Sequence, residues 1–459
     1  MNAPVLVLVL AGVLGAASFL ARGRLVMASM IAGLGAGLLG LFTLGVSLDA
    51  PLQTLVGDLK VAGSWTFLGR TLALDDGNRA SVSFIFLASA FLLTGAWAAR
   101  PVRYLPSFGL FMTACVAASL MIRPFLYAAP LLEIAAIVGC LLLVGERPVS
   151  HRAGIRLLTF YTLAMMGLLL TGWMLESSGV TSATTTEADR VFLLLAVGLA
   201  VLLIVPPFHS WLPAAAEGSD PYTLAFVVVI LQSSGLFLLL GFLDSYAWLR
   251  ESIEISQRLR WAGLVTLALG TLWAVGQPKG ARFMAYALLA DVGVTLLLLS
   301  RLQAADYQMA LAMAGSRAVG MAVWALGSAN EGVATEESRA HAGSRAIPAL
   351  AASLGALSVV GAPLTAGFPG RWAALVRLGR SDAWAGALIV SSLVVLSVSV
   401  LRWNLGSDAQ AVADSALTAR ARRTFLLGGV LLVVALGLFP QLTYPWLVQA
   451  ARGLENLIP

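Results

Sequence analysis

The chain has 459 residues, of which 59% are hydrophobic and only 11% are charged, and its formal net charge is +6. A soluble protein carries about twice that charged fraction, so the composition excludes a soluble globular class and predicts an all-α polytopic membrane protein. The excess positive charge is explained by arginines in cytoplasmic loops. We therefore expect lipid around the chain and no nucleic-acid partner.

Apolar segments close to the roughly 20 residues needed to cross a bilayer recur along the whole chain. The first lacks a basic region before it and a cleavage site after it, so we interpret it as a span and not as a signal peptide. We predict fourteen spans, at residues 4–20, 25–46, 80–99, 104–122, 125–144, 155–174, 191–212, 222–243, 259–277, 283–300, 307–327, 346–369, 383–401 and 424–446.

The connection between the second and third spans is the longest on one face. Within it, residues 64–80 alternate apolar and polar side chains around Gly69-Arg70, which predicts a small β-hairpin. Arginines are concentrated in the loops that follow odd-numbered spans, and the positive-inside rule places such loops in the cytoplasm. This predicts a multi-pass protein of the cell inner (plasma) membrane with both termini on the outer face. Examples of these arginines are Arg22, Arg24, Arg152, Arg156 and Arg282.

The two cysteines, Cys115 and Cys140, lie in separate apolar segments. We interpret them as small core residues and expect neither a disulfide nor a metal site. The sequence also lacks a glycine-rich phosphate loop and an extramembrane segment large enough for a redox cofactor, so we expect no cofactor in this chain.

The seventh predicted span is interrupted by prolines. Pro206 and Pro207 lie in its second half and are followed by His209. Proline removes a backbone donor and clashes with the preceding turn, so the helix must break there. Freed backbone groups at membrane depth need protein or a wet cavity around them. His209 is therefore either a switch in an ion path or a cap for freed carbonyl groups.

A second interruption, at Pro363 and Pro369, matches the first in position. Pro207 lies 103 residues after the start of the fourth span, and Pro363 lies 104 residues after the start of the ninth. Each of the two units has five spans, an odd number, so the two units must have opposite orientations in the membrane. Interrupted spans at matching positions of such inverted repeats indicate a transport path. We predict an N-terminal part at 1–100, repeats at 101–243 and 259–401, and a C-terminal part at 402–459.

Four ionisable residues lie inside predicted spans or, for Arg371, directly after one, and ionisable groups at such places are costly and are candidates for function. Glu133 either exchanges protons or is a protonated acid bonded to a neighbouring helix. Asp291 and Arg317 form either part of a path or a structural pair. Arg371 stays charged and cannot release a proton. It lies either beside a polar path through the membrane or with its long side chain extended to the membrane–water interface.

Three motifs and one glutamate resemble those of a known family. Residues 207–213, PFHSWLP, are similar to its P-[LF]-H-x-W-L-P motif, and residues 361–371, GAPLTAGFPGR, resemble G-x-P-x-T-[AG]-x-F-x-G-[KE]. Residues 282–286, RFMAY, look like R-x-x-A-Y, and Glu133 sits where the family has a glutamate in its fifth span. The chain thus resembles the antiporter-like membrane subunits of respiratory complex I (NADH:quinone oxidoreductase), a family shared with Mrp-type cation/proton antiporters and membrane-bound hydrogenases.

The resemblance implies fourteen spans, inverted repeats of spans 4–8 and 9–13, and breaks in spans 7 and 12. It also implies a row of buried ionisable residues along which protons move. Other membrane subunits of a complex I-like assembly are the implied partners, and the chain is expected to have no catalytic site of its own.

This sequence departs from that row of charges. Its two lysines, Lys60 and Lys279, both lie in predicted loops. Leu202 and Ser233 stand where the resemblance implies the lysines of spans 7 and 8, so Glu133 has lost its expected partner. Arg371 keeps the ionisable position of span 12.

Two functions of different classes are compatible with these departures. One is a redox-driven proton-pump subunit with a rewired or degenerate path through Glu133, His209, Asp291, Arg317 and Arg371. The other is a structural, non-conducting subunit, which we favour slightly because leucine and serine carry no mobile charge. A subunit of an Mrp-type antiporter or a membrane-bound hydrogenase is a third alternative, and a stand-alone transporter is a weaker one.

Overall fold

A computed structural model describes the chain over the residues 2–46, 48, 51–54, 57–144, 148–177, 185–250, 253–277, 280–329, 346–406, 416–454 and 456–457. Lys279 lies outside these residues. The described part is predominantly helical, with two small antiparallel sheets.

The helices of the N-terminal half are Ala3–Leu20 (α1), Leu25–Gly45 (α2), Asp76–Ala99 (α3), Leu105–Met121 (α4), Ala128–Leu143 (α5), Pro148–Ser177 (α6), Thr185–Leu202 (α7), Trp211–Gly218 (α8) and Pro221–Ser245 (α9). Those of the C-terminal half are Ala247–Arg250 (α10), Ile253–Val275 (α11), Gly280–Leu299 (α12), Ala304–Ser328 (α13), Ala346–Val360 (α14), Phe368–Ser381 (α15), Ala383–Gly406 (α16), Ala416–Leu438 (α17) and Tyr444–Arg452 (α18). Short 3-10 turns cover Phe125–Tyr127 and Pro440–Thr443.

Ten helices of the described part are long and apolar enough to cross a membrane. This confirms the prediction of an all-α polytopic membrane protein. Each of the fourteen predicted segments overlaps at least one helix.

The strands lie in the connection between α2 and α3 and just after α4. Pro51–Thr54 (β1) pairs with Gly57–Lys60 (β2), and Ser64–Phe67 (β3) pairs with Arg70–Ala73 (β4), which also pairs with Ile122–Arg123 (β5). The predicted hairpin is therefore present, but its turn is Leu68-Gly69, where both residues have positive φ (49° and 72°). Arg70 already belongs to the second strand because a two-residue turn with positive φ matches the twist of the strands.

Two predicted spans are broken into two helices each. Helix α7 ends at Leu202 and α8 begins at Trp211, while α14 ends at Val360 and α15 begins at Phe368. The second break differs from the prediction in extent, because α15 continues well beyond residue 369, the predicted end of the span. Arginines within α15 lower its mean hydropathy, so a span predicted from apolar residues ends before the helix does.

The most buried of these spans are α9, the last helix of the N-terminal half, and α12, the third helix of the C-terminal half. The most apolar windows of α9 and α12 are 94% and 89% buried, whereas that of α17 is 22% buried and faces outward. Glycines allow neighbouring backbones to approach closely, as is common between membrane helices. A Cβ added to Gly293 of α12 would lie 2.5 Å from the backbone nitrogen of Leu267 in α11, and one added to Gly355 of α14 would lie 2.2 Å from that of Trp324 in α13.

Candidate functional site

Three of the ionisable residues singled out from the sequence meet in one buried cluster, which we call the central triad: Asp291, Arg317 and Arg371. They come from α12, α13 and α15, and all three are at most 4% exposed. Arg317 Nε donates to Asp291 Oδ2 (2.5 Å), and Arg371 Nη2 donates to Asp291 Oδ1 (2.9 Å). One carboxylate therefore holds two guanidinium groups.

Local structure fixes the orientation of each arginine. Thr295 lies one turn after Asp291 on α12, and its hydroxyl accepts a hydrogen bond from Arg317 Nη2 (2.9 Å). Arg371 Nη2 also donates to the carbonyl of Val359, in the last turn of α14 (3.0 Å). The break between α14 and α15 thus brings a helix-end carbonyl to the arginine, which satisfies one of the acceptors that a helix terminus leaves free.

Gly361 makes room for the Arg371 side chain. It lies directly after α14 with φ +83°, a conformation that favours glycine. A Cβ at this position would lie 2.4 Å from Arg371 Cδ and 2.8 Å from its Nε. Two local constraints therefore favour glycine at position 361: the positive φ of the backbone and the close packing of the Arg371 side chain against it.

The central triad carries more positive than negative charge. Two guanidinium groups face one carboxylate, and Arg371 Nε and Nη1 are buried without a hydrogen-bond partner among the described residues. An unmade hydrogen bond of a buried polar group costs about 1–3 kcal/mol. Arginine keeps its proton at any accessible pH, so this cluster holds a fixed positive charge instead of one that moves with a proton.

A second aspartate–arginine cluster holds the middle of α15. Asp306 is fully buried in the first turn of α13 and accepts hydrogen bonds from Arg301 Nε (3.0 Å) and from Arg377 Nε. Arg301 Nη1 also donates to the carbonyl of Arg377 (2.9 Å), and both arginines donate to the side-chain oxygen of Gln303. Since Asp306 lies just outside the predicted span, a search for charges inside spans did not find it.

The end of α15 is attached as well. Asp382, the residue after α15, accepts from Arg260 Nε of α11 at 2.5 Å. This hydrogen bond to the guanidinium lowers the pKa of Asp382 from its ordinary value. Arg371, Arg377 and Asp382 therefore link the start, the middle and the end of one 14-residue helix to α11, α12 and α13.

Glu133 lies apart from the central triad. It is half-buried on α5, and its Oε1 accepts a hydrogen bond from Thr162 Oγ1 of α6 (2.6 Å). Its Oε2 is buried without a hydrogen-bond partner among the residues that the structure describes. No hydrogen bond or ion pair within the described residues joins it to the triad.

His209 lies in the break between α7 and α8. Its ring stacks on Trp273 of α11, with centroids 4.7 Å apart and planes at 18°, and its Nδ1 is buried without a hydrogen-bond partner in the described part of the chain. Pro206 and Pro207 precede it in the same break, Pro363 lies in the second break, and Pro369 lies in the first turn of α15. The histidine contacts neither Glu133 nor the triad through a described hydrogen bond or ion pair.

The positions where a lysine was expected are filled by well-packed residues. Leu202 is the last residue of α7 and is fully buried. It packs closely against α9, because a Cβ added to Gly235 would lie 2.9 Å from the Cβ of Leu202. Ser233 is buried on α9. Next to it, Gln232 is fully buried and both polar atoms of its amide have no partner among the described residues. Sequence reasoning missed Gln232 because it searched for charges, although a glutamine inside an apolar span is itself a signal.

No group of three or more histidine, cysteine, aspartate or glutamate side chains in the described residues could hold a metal ion. Cys115 and Cys140 are both buried free thiols.

Solved structures share this fold over nearly the full chain. Respiratory complex I from Thermus thermophilus with bound NADH contains a chain that superposes with a TM-score of 0.75 at 22% identity, covering 99% of this chain and 100% of that one. The Mrp complex from Dietzia sp. DQ12-45-1b gives a TM-score of 0.74 at 16% identity, covering 99% and 98%. At these identities the likeness shows the fold alone.

Similarity in sequence points the same way. NADH-quinone oxidoreductase subunit 14 of Thermus thermophilus is 28% identical over 269 residues, which is 57% of this chain and 58% of that relative. The chain thus spans little more than half the length of this curated relative. Residues 131–397, more than half of the chain, match the family described as "NADH:quinone oxidoreductase/Mrp antiporter, TM". The chain therefore belongs to the transmembrane family of NADH:quinone oxidoreductase and Mrp antiporter subunits.

Proposed function

We propose that this protein is a membrane subunit of a complex I-like, redox-driven ion-translocating assembly in which its own proton path is degenerate. It crosses the plasma membrane fourteen times with both termini outside, and its two inverted repeats correspond to spans 4–8 and 9–13. Its partners are other membrane subunits. The relatives named for NADH-quinone oxidoreductase and for an Mrp complex support this assignment.

The central triad is the observation that carries the proposal. A proton relay needs groups that gain and lose protons, and neither Arg317 nor Arg371 can lose one. The carboxylate of Asp291 is held between both guanidinium groups at 2.5 and 2.9 Å. In the other half, Leu202 and Ser233 offer no charge. The two halves thus keep the helix breaks of the family without the lysines that the resemblance implies for spans 7 and 8, and the second break carries an arginine that keeps its proton.

The held position of α15 supports a structural role. Its three attachments join the broken span to α11, α12 and α13 through ion pairs. A helix fixed at its start, middle and end serves as a rigid part of a larger membrane assembly. This accounts for the presence of buried ion pairs without requiring transport.

The test is Glu133→Gln in the intact complex, reconstituted into vesicles. We expect an unchanged ratio of protons pumped to electrons transferred, because no hydrogen bond or ion pair in the described residues links Glu133 to another titratable group. Assembly of the variant complex is verified by its subunit composition after purification. The same purification identifies the partners: hydrogenase or antiporter subunits in place of quinone-reductase subunits would assign the chain to one of the alternative assemblies.

A second candidate is an active proton path with new members. It is favoured by several buried polar groups that have no hydrogen-bond partner within the described part of the chain: Glu133 Oε2, both amide atoms of Gln232, and Arg371 Nε and Nη1. Such groups are normally satisfied by ordered water. A loss of pumping in Glu133→Gln, with assembly and electron transfer intact, would establish this path and overturn the structural role.

A further inference from the structure

A polar cavity of about 380 Å³ opens at the face predicted to be cytoplasmic. Its lining comes from the start of α6, the first helix break, α8 and the start of α12. We call it the arginine cavity, since three of its lining residues are arginines. Its polar lining residues are Arg152, Arg156, His209, Ser210, Glu217, Arg282 and Tyr286.

The arginines outnumber the acids in this cavity. Arg152 and Arg156 lie four residues apart on α6, so they share one face of the helix and repel each other. Both are exposed, and neither has an ion pair or a side-chain hydrogen bond within the described residues. With Glu217 as the acidic residue of the lining and a neutral His209, the cavity has a formal excess of two positive charges.

Arg282 is only loosely held by that acid. Its Nη1 lies 3.6 Å from Glu217 Oε2, which is longer than a hydrogen bond. Its Nε is buried without a hydrogen-bond partner among the described residues, as is Nδ1 of His209. The cavity therefore combines surplus positive charge with unsatisfied polar atoms on two sides, which are the features of an anion site.

The outer face of α6 indicates what kind of anion fits. Below Arg152 and Arg156, at intervals of three to seven residues along the same helix, lie Leu163, Met166 and Leu170, which are 48%, 59% and 46% exposed. Helical periodicity places them on the face that carries the two arginines. Positive charge at the membrane surface directly above an exposed apolar strip matches a phosphate headgroup with its acyl chains.

We propose that the arginine cavity binds the phosphate group of an anionic phospholipid from the cytoplasmic leaflet. Arginine pairs with phosphate through charge-assisted, often bidentate hydrogen bonds. Basic pockets between membrane helices on the cytoplasmic side are suited to such headgroups. The lipid would neutralise the repulsion between Arg152 and Arg156 while its acyl chains cover the strip below them.

Binding is measured on the purified full-length chain in detergent by native mass spectrometry, with phosphatidylglycerol and phosphatidylcholine as probes. We expect phosphatidylglycerol to bind more tightly. Each basic residue near an anionic lipid surface is worth about a fivefold change in affinity, so Arg152→Gln with Arg156→Gln should weaken phosphatidylglycerol binding about 25-fold. Glu217→Gln, which adds a positive charge, should tighten it about fivefold.

Arg103→Gln is the matched control, because Arg103 is an exposed arginine of the same predicted face outside the cavity. It should leave the affinity unchanged. An equal loss in Arg103→Gln would reduce the effect to general surface charge and overturn the site. Equal binding of the two lipids would also overturn it. Displacement of phosphatidylglycerol by inorganic phosphate at an equal concentration would show a site for free phosphate, against the lipid proposal.

Discussion

Replacing Asp291 with asparagine removes the carboxylate that holds both arginines of the central triad. The change preserves the shape of the side chain, so its effect reports charge and hydrogen bonding and not cavity formation. Arg317 and Arg371 are 4% and 2% exposed, and each would remain as a buried cation facing another.

Removing one partner of a buried ion pair costs about 3–5 kcal/mol. Since Asp291 serves two guanidinium groups, we expect Asp291→Asn to lower the free energy of unfolding by about 5 kcal/mol, the upper end of that range. Arg371→Met should behave differently. It removes the surplus charge and two nitrogens without hydrogen-bond partners among the described residues along with the ion pair, so the net change should stay within about 1 kcal/mol.

Both variants and their combination are unfolded by denaturant in detergent and followed by circular dichroism. The combined variant should be more stable than Asp291→Asn alone, because one of the two stranded cations is gone. Their non-additivity gives the coupling energy of the cluster. If the free energy of unfolding of Asp291→Asn lay within about 1 kcal/mol of the parent value, the idea that Asp291 stabilises the core by neutralising buried arginine charge would be refuted. An Arg371→Met protein as destabilised as Asp291→Asn would refute it too.

Two further predictions concern the helix that follows the second break. Gly361→Ala places a Cβ 2.4 Å from Arg371 Cδ at a φ of +83°, so we expect it to lower the free energy of unfolding by about 1–3 kcal/mol. Gly428→Ala is the control, because a Cβ at that position meets nothing within 4 Å. It should be neutral or stabilising in the same unfolding assay. Acidification should weaken the link between Arg260 and Asp382: the folded pKa of Asp382 is lowered, so its contribution is complete above the unfolded pKa of about 4 and is lost as the pH falls through the lower folded value. Both groups are partly exposed, so the loss should be about 0.5 kcal/mol, and it should be absent in Asp382→Asn.

The sequence was sufficient for the features that depend on local chemistry. Pro207 and Pro363 mark helix breaks because proline cannot continue the backbone ladder, whatever its surroundings. The membrane class and the position of the hairpin follow from composition and alternation in the same way. The extent of α15 did not follow, because its arginines are stabilised by partners on other helices and make the segment look polar.

The central triad could be predicted only as separate candidates. Asp291 and Arg371 are 80 residues apart, and their contact depends on how α12 packs against α15. Thr295 was within reach of sequence reasoning, because a residue four positions after a buried aspartate on a helix lies on the same face. Asp306 was not, since it is paired with Arg377, 71 residues away on another helix, and that contact depends on how α13 packs against α15.

The surplus charge of the central triad makes this half of the protein selective by sign. A cation within about 8 Å of one uncompensated charge, at an effective dielectric constant of about 20, meets a repulsion of about 2 kcal/mol. That repulsion lowers its local concentration about 30-fold. Sodium and hydronium ions are rejected alike, independently of pH, because the charge resides on arginine. We therefore expect the cluster that joins three helices to oppose cation leakage along the helix break as well.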